Sequence, residues 1–316
     1  GMLKEAGVTM VDPKEAADIY IVNTCSVTNM AERKSRQMLH RAKKKNPDVV
    51  VVAVGCYAQV GKEELSKDTN IDLIIGNNKK KDLIHILEEH MGEKESAAES
   101  IEVIDIAHDQ EYESLHVEQL KEHTRAYIKV QDGCNQFCTY CMIPYVRGKG
   151  KLVSMPEDEV ISHVESLAKQ GYKEVVLTGI HLSSYGVDFS DALNFVSLEG
   201  KPLLAVISKV AEIEGVERIR LGSLEPRIIT ESFAKELSAI KKVCPHFHLS
   251  LQSGCDTTLE RMNRRYRSTE YAEKCGLLRK YLGNPALTTD VIVGFPMETE
   301  EDFQDSYDFV ESIHFY

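Results

Sequence analysis

The stretch Gly133-Cys134-Asn135-Gln136-Phe137-Cys138-Thr139-Tyr140-Cys141 carries three cysteines in the spacing C-x3-C-x2-C, just after a strand-like run, Ala126-Tyr127-Ile128-Lys129-Val130. Three thiolates this close cannot all pair as disulfides. They can ligate three irons of a 4Fe-4S cube and leave the fourth iron without a protein ligand. An open iron can bind a second molecule, so such a cluster acts on a ligand and does more than pass electrons. Zinc fits less well. A zinc site usually pairs C-x2-4-C with a second Cys/His pair further along, and the next cysteine is Cys244. A redox C-x-x-C leaves Cys134 unexplained.

Downstream of this loop strand and helix signals alternate. Strands are expected over 126–131, 174–179, 218–223, 246–251 and 286–294, and helices over 156–170, 202–214, 230–242, 256–263, 268–282 and 299–313. Repeated βα units predict a partial (β/α)6 TIM-like barrel over 124–316, whose strand carboxyl ends build the ligand mouth. Cys134 follows the first strand, and Thr178-Gly179-Ile180-His181 ends the second. Ser223-Leu224-Glu225-Pro226 ends the third, Gln252-Ser253-Gly254 the fourth and Val293-Gly294-Phe295-Pro296 the fifth. His314-Phe315-Tyr316 reads as the start of a sixth. Gly179, Gly254 and Gly294 can admit a ligand close to the backbone.

Upstream, strands are expected over 17–22, 49–54 and 71–75. Helices are expected over 30–45, capped by Thr28 or Asn29 and stopped near Asn46-Pro47, and over 63–65 and 81–90. The alternation predicts an N-terminal three-layer α/β domain with a parallel sheet over 1–92. Cys25 follows its first strand and Cys56 its second, which puts both at one sheet edge. Residues 93–123, rich in Glu, Ser, Ala and His, read as a linker holding one strand-like run, 101–106.

The chain has 316 residues, 42% of them hydrophobic, enough for two domains with ordinary cores. Eight cysteines without a signal-peptide pattern argue against a secreted disulfide framework and for a reducing, cytoplasmic setting. No apolar run approaches the ~20 residues of a membrane span, so no membrane is expected. A net charge of −12 is unexpected for a nucleic-acid binder, and no DNA partner is expected. Residues 33–45, however, carry Arg33, Lys34, Arg36, Arg41, Lys43, Lys44 and Lys45 against no acid. Such a stripe either binds phosphate or forms a solvated helix face.

A C-x3-C-x2-C loop opening a βα barrel resembles the radical S-adenosylmethionine (SAM) superfamily. Further motifs resemble its methylthiotransferase family: Asn23-Thr24-Cys25-Ser26-Val27-Thr28, Lys34-Ser35-Arg36-Gln37, Gly55-Cys56-Tyr57-Ala58-Gln59 and Arg147-Gly148. Val130 to Cys141 and Leu177 to Gly186 resemble one branch, the MtaB-type enzymes that modify threonylcarbamoyladenosine next to the tRNA anticodon.

The resemblance implies two 4Fe-4S clusters, one on Cys134, Cys138 and Cys141 that binds SAM, and a second on Cys25, Cys56 and a third ligand upstream of residue 1. It implies a C-terminal RNA-binding β-barrel beyond residue 316. It implies that sulfur held at the second cluster is methylated by one SAM. A second SAM gives the 5′-deoxyadenosyl radical, which takes hydrogen from an aromatic carbon. Its partners are the tRNA anticodon stem-loop and a reductase such as flavodoxin or ferredoxin. Strand-end position assigns SAM contacts to Tyr140, Thr178, Gly179, Ser223, Glu225, Gln252 and Gly294, with Glu225 facing the ribose. Arg33, Lys34, Arg36 and Arg147 are expected on the RNA, Arg147 alternatively on SAM. Cys244, Cys255 and Cys275 read as ordinary thiols. Alternative targets are isopentenyladenosine tRNA or a ribosomal protein aspartate. A non-catalytic zinc or RNA-binding protein is the reading from a different class.

Overall fold

A computed structural model describes residues 2–92, 100–104, 124–189 and 198–316. The chain forms two compact units, residues 1–119 with 141–151, and residues 120–140 with 152–316.

In the first unit a short helix α1 (Met2–Glu5) precedes β1 (Ile19–Thr24), α2 (Asn29–Lys45), β2 (Val50–Gly55), α3 (Cys56–Val60), α4 (Lys62–Leu65), β3 (Leu73–Ile75), α5 (Leu83–Gly92) and β4 (Ser100–Glu102). The four strands pair in the order β1-β2-β3-β4, all parallel. Strand β4 lies within the 93–123 stretch that reads as a linker, and it closes the sheet beside β3. The sequence pattern of β2 is apolar throughout because both of its faces are covered. Val51 and Ala53 pack with Leu39, Ala42, Tyr57, Ala58 and Leu65 on one side. Val52 and Val54 pack with Leu73, Ile75, Ile86 and Leu87 on the other. That is the three-layer arrangement. Helix α2 starts where expected, because Thr28 Oγ1 accepts the Ala31 N–H at 3.1 Å. Residues 141–151 add α6 (Ile143–Val146), which packs on α3.

The second unit runs β5 (Ala126–Asp132), β6 (Val153–Ser154), α7 (Glu157–Lys169), β7 (Glu174–Gly179), α8 (Lys201–Glu212), β8 (Arg218–Leu221), α9 (Glu231–Ala239), β9 (His246–His248), α10 (Asp256–Arg261), α11 (Ser268–Leu282), β10 (Ala286–Thr288) and α12 (Glu300–Ile313). Strands β5, β7 and β8 are parallel neighbours, as are β9 and β10. Parallel bridges Ile219↔Val243 and Leu224↔Leu249 carry the series from β8 to β9, and Gln252↔Val291 extends β9 beside β10. The Tyr316 N–H donates to Leu287 O at 2.9 Å, so the segment expected to start a sixth strand does lie alongside β10. The strand-like stretches at 218–223, 246–251 and 286–294 end sooner than their apolar runs. Past the ends of β9 and β10 the chain reaches residues of positive φ, Gln252 at +72° and Gly294 at +71°. Short β6 pairs antiparallel on the outer edge of β5 and has no counterpart in the expected elements.

The amino ends of the barrel strands are held by charge. Glu174, 7% exposed, accepts from Arg218 Nε at 2.7 Å and Arg220 Nε at 2.6 Å, and Arg125 lies at 3.5 Å. The Arg218 hydrogen bond keeps its carboxyl below the usual range against the opposing cost of burial. In barrels this face serves stability and the opposite face serves chemistry.

One glycine is fixed by the first sheet. Gly55 has φ +98° and ψ −156°, a region essentially reserved for glycine. A Cβ there would stand 2.6 Å from Asn23 Oδ1 and 2.8 Å from Thr24 O. Gly55→Ala is expected to lower stability by about 1–3 kcal/mol, read as a urea midpoint by far-UV circular dichroism. An unmoved midpoint would refute the close approach of β1 and β2 at this edge.

Candidate active site

Cys25 and Cys56 are the first residues past the ends of β1 and β2, and the residues before them, Thr24 and Gly55, are register partners. The motifs around them have local causes. Thr24 Oγ1 donates to Val54 O at 2.7 Å and accepts from the Ala58 N–H at 3.1 Å, which ties both strand ends to α3. Ser35 Oγ, from α2, accepts the Cys25 N–H at 3.3 Å. Gln59 receives the Asn77 N–H at 2.9 Å and donates to Ile104 O at 2.9 Å. Asn77 is 1% exposed and donates from Nδ2 to Val146 O at 3.1 Å and to Cys56 Sγ at 3.8 Å. The buried Asn77 Oδ1 and Ser26 Oγ have no hydrogen-bond partner among the described residues. Orphaned polar atoms beside two thiols, an acceptor on Asn77 and a hydroxyl on Ser26, leave room for a polar group at this edge.

On α2, Arg36 turns inward. It donates to Tyr57 Oη at 2.6 Å and Glu64 at 3.2 Å, and lies over the Tyr57 ring. Lys43 is bound to Asp72 and Val49 O. Arg33, Lys34, Arg41 and Lys44 are exposed and carry no hydrogen bond or ion pair among the described residues. At 100° per residue these four share one helix face. Arg147 is half-buried and closes α6.

In the second unit the carboxyl ends of β5 and β7 are joined by Gln131, which is fully buried. Its Nε2 donates to Asp132 O at 2.7 Å and Gly133 O at 2.9 Å, and its Oε1 accepts the His181 N–H at 2.7 Å. Gly179 is needed there, since a Cβ would meet Gln131 Cβ at 2.9 Å. Beyond β5 the chain turns at Gly133 (φ +76°) and Phe137 (φ +50°). Cys138 is buried, and Cys134 and Cys141 are half-buried. None of the eight cysteines forms a disulfide. Cys244, Cys255 and Cys275 are buried, as ordinary thiols should be, and burial pushes Cys275 up to about 12.

The loop is pinned by a segment that the sequence motifs did not indicate, residues 261–266. The Thr139 N–H donates to Met262 O at 3.2 Å, Thr139 Oγ1 to Arg261 O at 2.9 Å, and Asn263 Nδ2 to Phe137 O at 2.9 Å. Arg264 Nη1 donates to Cys138 Sγ at 3.2 Å. Tyr140 meets Phe295 edge-on at 6.3 Å. At the third strand end the Glu225 N–H donates to Ser183 Oγ at 2.9 Å. Its carboxylate, 4% exposed, accepts from Arg227 Nε at 2.7 Å, and Arg227 Nη2 donates to Gln136 at 2.8 Å. Ser223 Oγ pairs with Ser250 Oγ at 3.0 Å. The Gly294 N–H donates to Glu298, and a Cβ on Gly294 would meet no atom within 4 Å. Thr178 and Gly179 close β7, and Gln252, past the end of β9, bridges Val291.

Among the described residues no three Cys, His, Asp or Glu side chains converge as a preformed metal cage. The triad is joined instead by its spacing along one loop. Its surroundings fit a thiolate-held cluster. Three soft donors lie within eight residues, and a guanidinium stands on the middle sulfur to offset the negative charge that thiolate ligands bring.

The comparisons agree with this chemistry. Residues 128–310 match the Radical SAM superfamily, and residues 1–76 match Uncharacterized protein family UPF0004. The second unit, with its cysteine loop leaving the first barrel strand, is therefore a radical SAM core. Over 309 residues the chain is 41% identical to "Threonylcarbamoyladenosine tRNA methylthiotransferase MtaB" of Aquifex aeolicus (strain VF5), covering 98% of this chain and 72% of that protein. It is 39% identical over 315 residues to the protein of the same name from Bacillus subtilis (strain 168), covering 99% and 67%. It is 38% identical to "tRNA-2-methylthio-N(6)-dimethylallyladenosine synthase" of Thermodesulfovibrio yellowstonii, covering 100% and 69%. The chain belongs to the radical SAM methylthiotransferase family. Among solved structures, the radical SAM methyltransferase TsrM from Kitasatospora setae superposes with a TM-score of 0.68 at 16% identity, covering 95% of this chain and 61% of that one. That likeness is one of fold.

His181 follows Gly179 in the same strand-end motif. Its Nδ1 meets Ser184 Oγ at 2.6 Å, and its buried Nε2 has no partner among the described residues. Burial first, then the Arg264 and Arg227 guanidiniums, push its pKa down to about 3. The unfolded chain takes a proton on this ring near pH 6.5 and the folded chain does not. Unfolding therefore binds a proton between about pH 6.5 and 3, and stability falls as pH falls through that window. His181→Gln is expected to remove about 1–2 kcal/mol of the loss between pH 7 and 5. The measurement is urea unfolding of the cluster-free protein at the two pH values. Equal pH dependence of the variant and the wild type would refute the neutral, buried ring.

Proposed function

We propose that this chain acts on tRNA, adding a methylthio group to carbon 2 of N6-threonylcarbamoyladenosine next to the anticodon. The observation that carries the reading is the placement of Cys25 and Cys56 after register-paired strand ends, in a chain that also carries the triad. Cys134, Cys138 and Cys141 hold the SAM-binding 4Fe-4S cluster. Cys25 and Cys56 contribute to a second one. When bound, the cluster and SAM supply one-electron cleavage of a carbon–sulfur bond and hydrogen abstraction from an unactivated carbon, power that no acid–base side chain has.

The chain's own residues bind and orient. Gly294 leaves open space at one strand end, and Gly179 lets Gln131 close against another. Glu225, aimed by Arg227, presents a fixed carboxylate to the ribose hydroxyls. Tyr140, Thr178, Ser223 and Gln252 complete the SAM contacts. Arg33 and Lys34, on the exposed face of α2 with Arg41 and Lys44, meet the phosphates of the anticodon stem-loop. Arg36 supports that face through Tyr57, and Arg147 serves the same RNA. The electron comes from a reductase such as flavodoxin or ferredoxin. The setting is the cytoplasm, and among the described residues no helix is long and apolar enough to cross a membrane. The 38% identity to the Thermodesulfovibrio yellowstonii protein favours a second reading, in which the target carries an isopentenyl group.

The test is nucleoside mass spectrometry of tRNA incubated with the reconstituted full-length protein, SAM and a reductant. A methylthio-threonylcarbamoyladenosine product is expected, and loss of more than about 99% of it in Cys138→Ala. A methylthio-isopentenyladenosine product instead moves the reading to the second target. Bound zinc without iron and sulfide refutes both.

A further inference from the structure

We infer that Arg264 is a positioning residue for the cluster at the triad: its guanidinium holds Cys138 Sγ and sets how readily that cluster accepts an electron. Four contacts fix the guanidinium. Its Nε donates to Tyr266 Oη at 3.0 Å, its plane lies 4.8 Å from the Tyr266 ring centre, Nη2 donates to Ser250 O at 3.4 Å, and Nη1 donates to Cys138 Sγ at 3.2 Å. Tyr266, 4% exposed, is itself anchored, since its hydroxyl reaches Ser250 O at 2.5 Å and Leu251 O at 2.8 Å. The neighbouring residues grip the same loop by backbone and amide contacts at Phe137 and Thr139. A surface arginine seeking any partner would not be stacked, tethered to a carbonyl and aimed at one sulfur.

The consequence is electrostatic. Each electron added to the cluster increases negative charge on the thiolate sulfurs. A fixed positive donor at one of them stabilises the more reduced state and raises the reduction potential. The electron comes from a low-potential one-electron donor, which is oxidised by one electron. No bond to Arg264 forms or breaks and no proton moves. Lysine cannot substitute fully, because it lacks the planar fork that makes the four contacts at once.

The inference rests on the triad holding a 4Fe-4S cluster, and iron and sulfide content reads that separately. In a Cys25→Ala/Cys56→Ala background, so that one cluster is observed, wild-type protein, Arg264→Gln, Arg264→Lys and Tyr266→Phe are reconstituted. Each should carry about four irons per chain. Each is then poised at fixed potentials without SAM, and the reduced fraction is read by electron paramagnetic resonance. For Arg264→Gln the ratio of reduced to oxidised cluster at a given potential is expected to fall about tenfold, equivalent to about 59 mV for a one-electron couple. Arg264→Lys and Tyr266→Phe are expected to fall less, in the same direction. An unchanged SAM-free potential in Arg264→Gln, with only SAM affinity weakened, overturns the inference and makes Arg264 a ligand for SAM instead. If the Gln variant holds no iron, unchanged potentials in both other variants overturn it. Wild-type protein without iron at the triad refutes the cluster assignment itself, a different failure.

Discussion

Parallel pairing has one consequence on which this molecule depends: parallel neighbours run out at the same sheet edge, so the loops that follow them begin side by side. In an antiparallel sheet consecutive loops would alternate between edges. Here β1 and β2 end together at Thr24 and Gly55, and a cysteine follows each. In the second unit β5, β7 and β8 are likewise parallel, and the cysteine loop, the Gly179-His181 turn and Glu225 follow them. Strand ends also leave backbone groups that the ladder no longer satisfies. The chain answers with side-chain hubs at these places. Thr24 serves Val54 and Ala58, and Gln131 serves Asp132, Gly133 and His181. Sequence motifs such as Asn-Thr-Cys and Val-Gln-Asp-Gly-Cys are therefore partly about chemistry and partly about closing a sheet edge.

The second unit separates its charges by face. Glu174 gathers Arg218, Arg220 and Arg125 at the strand amino ends, where a satisfied ion network holds the barrel wall. Around the opposite ends Arg227 and Arg264 stand near His181, and Arg264 meets Cys138. The site is therefore electropositive with a neutral imidazole. That is the environment an anionic ligand set and a carboxylate-bearing cofactor require. In the first unit the basic stripe of α2 is divided by packing. Arg36 and Lys43 are drawn in by Tyr57, Glu64 and Asp72, and the face with Arg33, Lys34, Arg41 and Lys44 is left to solvent.

Much of this was legible from one chain. The period of the apolar runs placed most elements within a few residues. Helix 268–282 agrees throughout, because its apolar face, Glu270 and Gly283 mark both ends. Strands 246–251 and 286–294 read too long, because the residue pattern runs on past His248 and Thr288, where only isolated bridges at Leu249, Gln252 and Val291 continue the pairing. Strand β4, at Ser100–Glu102, overlaps the strand-like run read at 101–106 within the linker, and what the run did not reveal is its pairing with β3. Helices α3 and α6 were missed because four or five residues cannot show a helical period. Arg264 was invisible for another reason: it lies 126 positions from Cys138, and nothing in local spacing connects them.

By itself, the sequence determined the donor chemistry. The spacing of Cys134, Cys138 and Cys141 is covalent, so three thiols share one loop however the rest of the chain folds. It also determined the βα alternation, because side-chain periodicity is a local property. Only the tertiary structure decided which charges act. It turned Arg36 to Tyr57, bound Glu225 to Arg227, buried His181 as a neutral ring and brought Arg264 onto Cys138. Those pairings join residues from different elements, and only packing fixes distances between residues far apart in the chain.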